Sequence, residues 1–305
     1  MRLLAPAKIN LHLRVGKPRA DGFHPLLSWM CTVGLFDKLT LENASGRGCA
    51  LTCAQPDVPC DNRNLVLQAA LALADSLTES GQGEVCPDFG LMATLEKHIP
   101  AGAGLGGGSS DAARTLLGLN RLWQSALSVQ RLSEMAGRLG SDVPFFLNGP
   151  SAICTGRGEV TRPTPPPAAR HAVLILPRMA MPTPSVYRRF DQMALGTDLS
   201  SAEEDWERWA RLPAAELMPL LVNDLEPAAF AIEPRLADLR HWMEQILGRS
   251  VRMSGSGSSL FCLYDTSQQA DEAARSISRE SGLDSMAVPL APAFEDDLNA
   301  PVEVE

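Results

Sequence analysis

Five glycines fall within seven positions of the stretch Pro100-Ala101-Gly102-Ala103-Gly104-Leu105-Gly106-Gly107-Gly108-Ser109-Ser110-Asp111. Glycine at that density lets the backbone turn with φ > 0 and brings successive N–H groups within reach of phosphate oxygens. A helix beginning just after it adds partial positive charge. The stretch predicts a phosphate-cradling loop rather than a flexible linker, because a strand pattern precedes it and a helical pattern follows. Gly102, Gly104 and Gly107 satisfy G-x-G-x-x-G, but a second helical pattern follows instead of the second strand ending in an acidic residue that a dinucleotide fold requires. No lysine precedes Ser109, so the loop is not of the G-x-x-x-x-G-K-[ST] type either.

Two further residues carry reactive side chains in suggestive places. Asp142, in Gly140-Ser141-Asp142-Val143-Pro144-Phe145-Phe146, follows a helical pattern and precedes a short apolar run; taken alone it reads as an N-cap. Lys8 alternates with Asn10, His12 and Arg14 on the polar face of a strand over 5–15, whose other face carries Ala5, Ala7, Ile9, Leu11, Leu13 and Val15. Taken alone, it reads as a solvated surface lysine.

The elements that must position these groups follow from periodicity and turn residues. A turn at 20–24 leads into strand-rich chain over 26–41, and the Gly-, Cys- and Pro-containing stretch 43–64 reads as loop. Helical spacing covers 65–80, and a strand covers 91–98. Ser109-Ser110-Asp111 supplies capping chemistry for a helix to about Trp123, and a helix over 128–139 ends at Gly140. Pro163, Pro165, Pro166 and Pro167 cannot continue a helix or a central strand, which sets an expected boundary between an N-terminal domain carrying the phosphate loop, 1–162, and a C-terminal domain, 163–305. Beyond it the pattern predicts a strand at 172–176, mostly helix over 185–247, a Gly/Ser turn at 254–258, a strand at 259–264, a helix over 266–281 and a strand near 285–289. The acidic tail after Pro292 is expected to be mobile.

Composition narrows the partners. The chain has 305 residues, 45% hydrophobic and 21% charged, with a net charge of -9, which is the profile of a globular protein long enough for two cores. An acidic balance argues against a broad footprint on nucleic acid or on an anionic membrane, so any anionic ligand must be met by a local site. The seven cysteines form no C-x-x-C pair and read as reduced thiols. Lys8, Asn10 and His12 interrupt the apolar run that a signal peptide needs, and a cytoplasmic protein is expected.

Three motifs in order, Pro6-Ala7-Lys8-Ile9-Asn10, Pro100 to Ala113, and Ser254-Gly255-Ser256-Gly257-Ser258, resemble the signatures of the GHMP kinases (galacto-, homoserine, mevalonate and phosphomevalonate kinases). Arg19-Ala20-Asp21-Gly22-Phe23-His24, the Gly140 to Phe146 stretch, Met181 to Tyr187 and Asn223-Asp224-Leu225-Glu226-Pro227 are closest to the branch that phosphorylates a cytidine diphosphate-linked methylerythritol in the non-mevalonate isoprenoid pathway.

The resemblance implies an α+β fold of two domains with the active site in the cleft between them, and transfer of a phosphoryl group from ATP, with Mg²⁺, to the 2-hydroxyl of that polyol. By the same resemblance, Asp142 would face the hydroxyl and Lys8 would be its cationic neighbour. Pro100, Ala101, Gly102, Ala103, Gly104, Leu105, Gly106, Gly107, Gly108, Ser109 and Ser110 would wrap the ATP phosphates. Phe23 and Tyr187 would stack the cytosine, His24 would read its edge, and Asn10 and Thr183 would make polar contacts; the metal ligands stay open. The chain departs from the branch in having Gly22-Phe23-His24 where Gly-Tyr-His is usual, which loses a hydroxyl and keeps a stacking ring. Alternative readings are a GHMP kinase of another substrate class and a non-catalytic sensor that keeps the pocket. Paired retention of Lys8 and Asp142 disfavours the sensor.

Overall fold

The computed structural model describes residues 1–46, 48–79, 90–199 and 204–298. Strand β1 (Arg2–Val15) runs antiparallel to the long β2 (Leu26–Ala44), and their apolar residues alternate onto a buried face. The polar face of β1 is buried too: Lys8, Asn10 and His12 are 2–3% exposed. Lys8 is therefore not the solvated lysine that its strand position alone suggests. The reason is tertiary, because a glycine loop and the second half of the chain close over that face.

Strand β3 (Gly48–Cys53) lies within the stretch expected to be loop, parallel to β4 (Gly90–Glu96). Only Leu51 is buried along it, so its alternation is too weak to read; it is an edge strand held by pairing rather than by its own propensity. Between them runs helix α1 (Leu65–Glu79). Helices α2 (Gly107–Leu122), α3 (Val129–Leu139) and α4 (Val143–Asn148) follow, then β5 (Ser151–Thr155) and β6 (Val160–Pro163). The first sheet has the order β3-β4-β2-β5-β6, with β1 on β2. Its core joins Leu39, Leu41 and Leu91 to Leu73, Leu116 and Leu119 from the helices.

The second sheet, in the order β10-β7-β9-β8, is antiparallel and consists of β7 (His171–Leu176), β8 (Arg252–Met253), β9 (Leu260–Tyr264) and β10 (Asp284–Pro289). Helices α5 (Thr183–Gln192), α6 (Trp206–Trp209), α7 (Ala214–Leu217), α8 (Glu226–Ile232), α9 (Pro234–Leu247) and α10 (Ser267–Ser281) belong to this half. The fold is α+β. A shared core, in which Ile9 and Trp29 meet Leu174, Leu217 and Phe261, joins the two sheets. The end of β1 is also bonded to the second half, where Leu13 N–H donates to Val222 O at 2.9 Å and Asp224 N–H to Leu13 O at 2.9 Å.

The acidic tail packs onto the fold as far as Leu298. Asp296 pairs with Arg114 of α2 with its side chain 2% exposed, and it accepts the N–H of Leu4 at 3.0 Å. Phe294 packs on Phe36, and Leu298 joins the first core. Charge suggested solvation, but a buried arginine supplies the partner. Residues 299–305 lie outside the described residues. The six described cysteines are free thiols, and burial pushes Cys31 up to about 12 and Cys262 to about 11; Cys86 lies outside the described residues. No helix among the described residues is long and apolar enough to cross a membrane.

Candidate active site

The chain leaves β4 through Lys97-His98-Ile99 and enters the glycine loop, where Gly102, Gly104 and Gly106 have φ of 66°, 77° and 69°. These left-handed conformations are what the glycines are for. At Gly104 a Cβ would also lie 2.1 Å from Ser254 O, because the turn between β8 and β9 clasps the loop. Ser254 Oγ donates to Gly104 O at 2.9 Å, and Ser259 N–H donates to Ala103 O at 3.1 Å. The Ser-rich third motif thus serves as the backing of the loop.

Helix α2 begins at Gly107 with Gly106 in the N-cap position. The expected capping by Ser109, Ser110 or Asp111 does not occur, since the cap falls at least three residues earlier and these residues lie inside the first turns of the helix. Gly106 has no side chain to accept a bond, so the helix N-terminus is left to whatever the cavity holds. Ser109 lines the cavity. Ser110 is fully buried, off the cavity wall, and its Oγ has no partner.

Lys8 and Asp142 come together at 3.3 Å, Nζ to Oδ2. Asp142 occupies the N-cap position of α4, yet its side chain caps nothing and turns to Lys8. Lys8 Nζ also donates to Asn10 Oδ1, and Asn10 Nδ2 donates to Ser28 Oγ at 2.9 Å, so the ammonium is fixed from two sides. The loop lies directly on this lysine: Lys8 N–H donates to Leu105 O at 2.9 Å, and a Cβ on Gly106 would come within 3.0 Å of Lys8 Cγ.

One cavity of about 970 Å³ is walled by Lys8, Asn10, Asp142 and residues 100–109, and by Phe23, His24, Thr183 and Tyr187. Phe23 is 48% exposed, so it is not a core residue. The Arg157 guanidinium sits 4.6 Å over its ring. His24 Nδ1 bonds Gly16 O at 2.8 Å, its Nε2 lies 3.3 Å from Asp191 Oδ1, and its ring packs 5.2 Å from that of Tyr187. Burial, then the charge of Asp142, pushes the Tyr187 phenol up, which keeps it a hydrogen-bond donor. Thr183 Oγ1 and Ser256 Oγ are 2.8 Å apart, tying the start of α5 to the third motif.

Sequence reasoning missed a second charged cluster on the same wall. Lys97 Nζ contacts Asp37 Oδ2 and lies 2.9 Å from Asp111 Oδ2. Burial and the neighbouring Asp37 charge push Asp111 up to about 7 against the pull of Lys97. The readable signal was Asp37 itself, a carboxylate on the strand face that carries Leu39 and Leu41. Arg157 was missed as well, and so were Val58, Pro59, Asn64 and Leu65 at the Lys97 side of the cavity. Among the described residues no cluster of three His, Cys, Asp or Glu side chains could hold a metal by itself.

The chain matches the family models for the GHMP kinases N terminal domain over residues 64–150 and GHMP kinases C terminal over 195–282. It is 37% identical to a 4-diphosphocytidyl-2-C-methyl-D-erythritol kinase of Desulfotalea psychrophila, covering 88% of this chain and 86% of that one. It is 38% identical to a protein of the same name from a Synechococcus strain, covering 91% and 92%. Among solved structures, a 4-(cytidine 5'-diphospho)-2C-methyl-D-erythritol kinase superposes with a TM-score of 0.74 at 36% identity, over 96% of this chain and 100% of the other. A homoserine kinase from Cytophaga hutchinsonii, at 18% identity and TM-score 0.67 over 95% and 94%, shares the fold.

Proposed function

The chain belongs to the GHMP kinase family, and on that footing we propose that it transfers the γ-phosphoryl group of ATP to the 2-hydroxyl of 4-diphosphocytidyl-2-C-methyl-D-erythritol. The observation that carries the reading is the Lys8–Asp142 pair, 3.3 Å apart, on a cavity wall shared with the glycine loop and with Phe23, His24 and Tyr187. The acceptor is supported by relatives of that name at 37–38% identity over most of the chain. The proposed division near residue 163 gives the first half the glycine loop, while Thr183 and Tyr187 of the second half join Phe23, His24 and Asp142 of the first on the substrate side.

In this reading the backbone of residues 100–109 and the uncapped start of α2 hold the triphosphate. Asp142 takes the proton of the acceptor hydroxyl as its oxygen bonds to the γ-phosphorus, and the bond from that phosphorus to the bridging oxygen breaks to leave ADP. The Lys8 ammonium, held by Asn10, stabilises negative charge developing on the acceptor oxygen. Phe23 and Tyr187 flank the cytosine, and the Tyr187 hydroxyl, Thr183 and His24 orient the substrate. Magnesium fits a site without a protein cage, since Mg²⁺ is held largely by phosphate oxygens and water, with one or two protein oxygens. The Ser109 hydroxyl on the cavity wall is the protein oxygen that would meet it. When bound, the ion neutralises charge on the phosphates.

A coupled ADP-release assay tests the reading, with the cytidyl polyol beside homoserine and mevalonate as acceptors. The cytidyl compound is expected to be the efficient one, and preference for either of the others would overturn the acceptor. Asp142→Asn is expected to lower kcat by about 10²–10⁴-fold while calorimetric ATP affinity stays within threefold. Near wild-type turnover would return Asp142 to a merely structural place at the head of α4.

A further inference from the structure

Asp37 is a buried carboxylate for which the phosphoryl transfer has no use. It lies on β2 with no exposed surface, and three donors converge on it. Oδ1 accepts the backbone N–H groups of His98 at 2.6 Å and Ile99 at 2.8 Å, and Oδ2 accepts from the Lys97 ammonium. Lys97 then reaches Asp111 in α2 at 2.9 Å. A Cβ on Gly107 would come within 3.0 Å of Lys97 Nζ and 2.9 Å of Ile99 Cγ2, so both the ammonium and residue 99 press on the first residue of that helix.

Burying a carboxylate is costly, and a fully paired one fixes whatever its donors belong to. Here the donors are the two residues leading into the glycine loop and the lysine that touches the start of α2. The loop between these points has three left-handed glycines and little stiffness of its own. Its two ends are therefore set from beneath by one side chain.

We propose that Asp37 is a positioning residue for the nucleotide half of the site, acting through Lys97 and the 98–99 backbone to hold the glycine loop and the start of α2 where the triphosphate is taken. This rests on the kinase reading for the ligand and not on the identity of the acceptor. The two links can be separated by substitution. In Asp37→Asn the amide oxygen still accepts from His98 and Ile99, while the amide nitrogen faces the ammonium and cannot accept from it. Only the Lys97 link is lost.

The test measures KM for ATP, KM for the alcohol and kcat for Asp37→Asn, Lys97→Gln and the double variant. A parallel calorimetric titration uses a non-hydrolysable ATP analogue with no acceptor present. Asp37→Asn is expected to raise KM for ATP and the analogue Kd about tenfold, with kcat and the alcohol KM moving less than threefold. The double variant is expected to be no worse than the worse single one, because both break one link. Unchanged analogue affinity in folded Asp37→Asn, equal rises in both KM values, or additive losses in the double variant would each overturn the proposal. If Asp37→Asn does not fold, Lys97→Gln decides by the same KM split, and unchanged ATP affinity there overturns it. The analogue titration involves no alcohol, so an error in the acceptor leaves this readout intact.

Discussion

Asp142 and Lys8 each look ordinary in the sequence, and each differs in the fold from what its local pattern says. An aspartate at a helix head caps nothing, and a lysine on a polar strand face is 3% exposed. Local pattern reports propensity, whereas the company of a side chain is set by elements far away in the chain; for these two residues only the ordered motifs gave the pairing away. Phe23 belongs to the same scale. With Arg157 4.6 Å over its ring and half its surface exposed, it has little to hold up, which suits the proposed contact with a base. Phe23→Ala is expected to weaken the cytidyl substrate by about 10–100-fold, from the usual worth of one stacked base, with ATP unaffected, and Phe23→Tyr is expected to be tolerated; equal weakening of both ligands, measured by calorimetry, would place the ring in the core. Asp111 makes a pH prediction. Its carboxyl is raised to about 7, chiefly by burial, against about 3.9 when unfolded. Between those values the folded state holds a proton that the unfolded state has lost, so this group's contribution to stability falls as pH rises from about 4 to about 7. Asp111→Asn does not titrate, and its urea midpoint relative to wild type is expected to climb between pH 5 and pH 8; a difference that stays flat would refute the buried assignment.

At the level of elements, the long strands and helices were legible because their burial is one-sided and regular. Helices α1, α3 and α10 fall within a residue or two of their expected spans. What escaped was β3, whose residues alternate weakly, the short β5 and β6, and α4, a six-residue helix hidden in an apolar run. The start of α2 was misplaced because Ser109-Ser110-Asp111 is good capping chemistry, while the cap falls at Gly106, at the end of a loop backed by the 254–258 turn. That backing separates two glycines of similar φ. Gly102 has open space where a Cβ would go, while at Gly104 a Cβ would meet Ser254 O at 2.1 Å. Gly102→Ala is thus expected to cost only the left-handed strain, about 1–2 kcal/mol, with a modest change in KM for ATP. Gly104→Ala must push the loop off the turn, and its KM for ATP is expected to rise at least tenfold more than that of Gly102→Ala. Matching ATP kinetics for the two variants would mean that the clasp does not matter.

For the whole molecule, the two-sheet plan could be anticipated from the order of strand and helix patterns together with the family motifs, but its fastening could not. Nothing in an acidic tail announces that Asp296 will cross to the other half, pair with Arg114 of the loop-bearing helix and bond the N–H of Leu4. Removing one partner of such a buried pair is costly, so Asp296→Ala is expected to lower the unfolding free energy by about 3–5 kcal/mol, and Arg114→Met with Asp296→Leu to recover most of it; urea unfolding of the three proteins checks this, and a loss under 1 kcal/mol would show the tail to be dispensable. The same contact has a meaning in time. A ribosome adds about 5–20 residues per second, and every residue that walls the cavity, the last being Ser256, is made before Asp296. For some seconds the growing protein carries its whole chemical apparatus while Arg114 still waits, wetted, for a counter-charge that has not been synthesised.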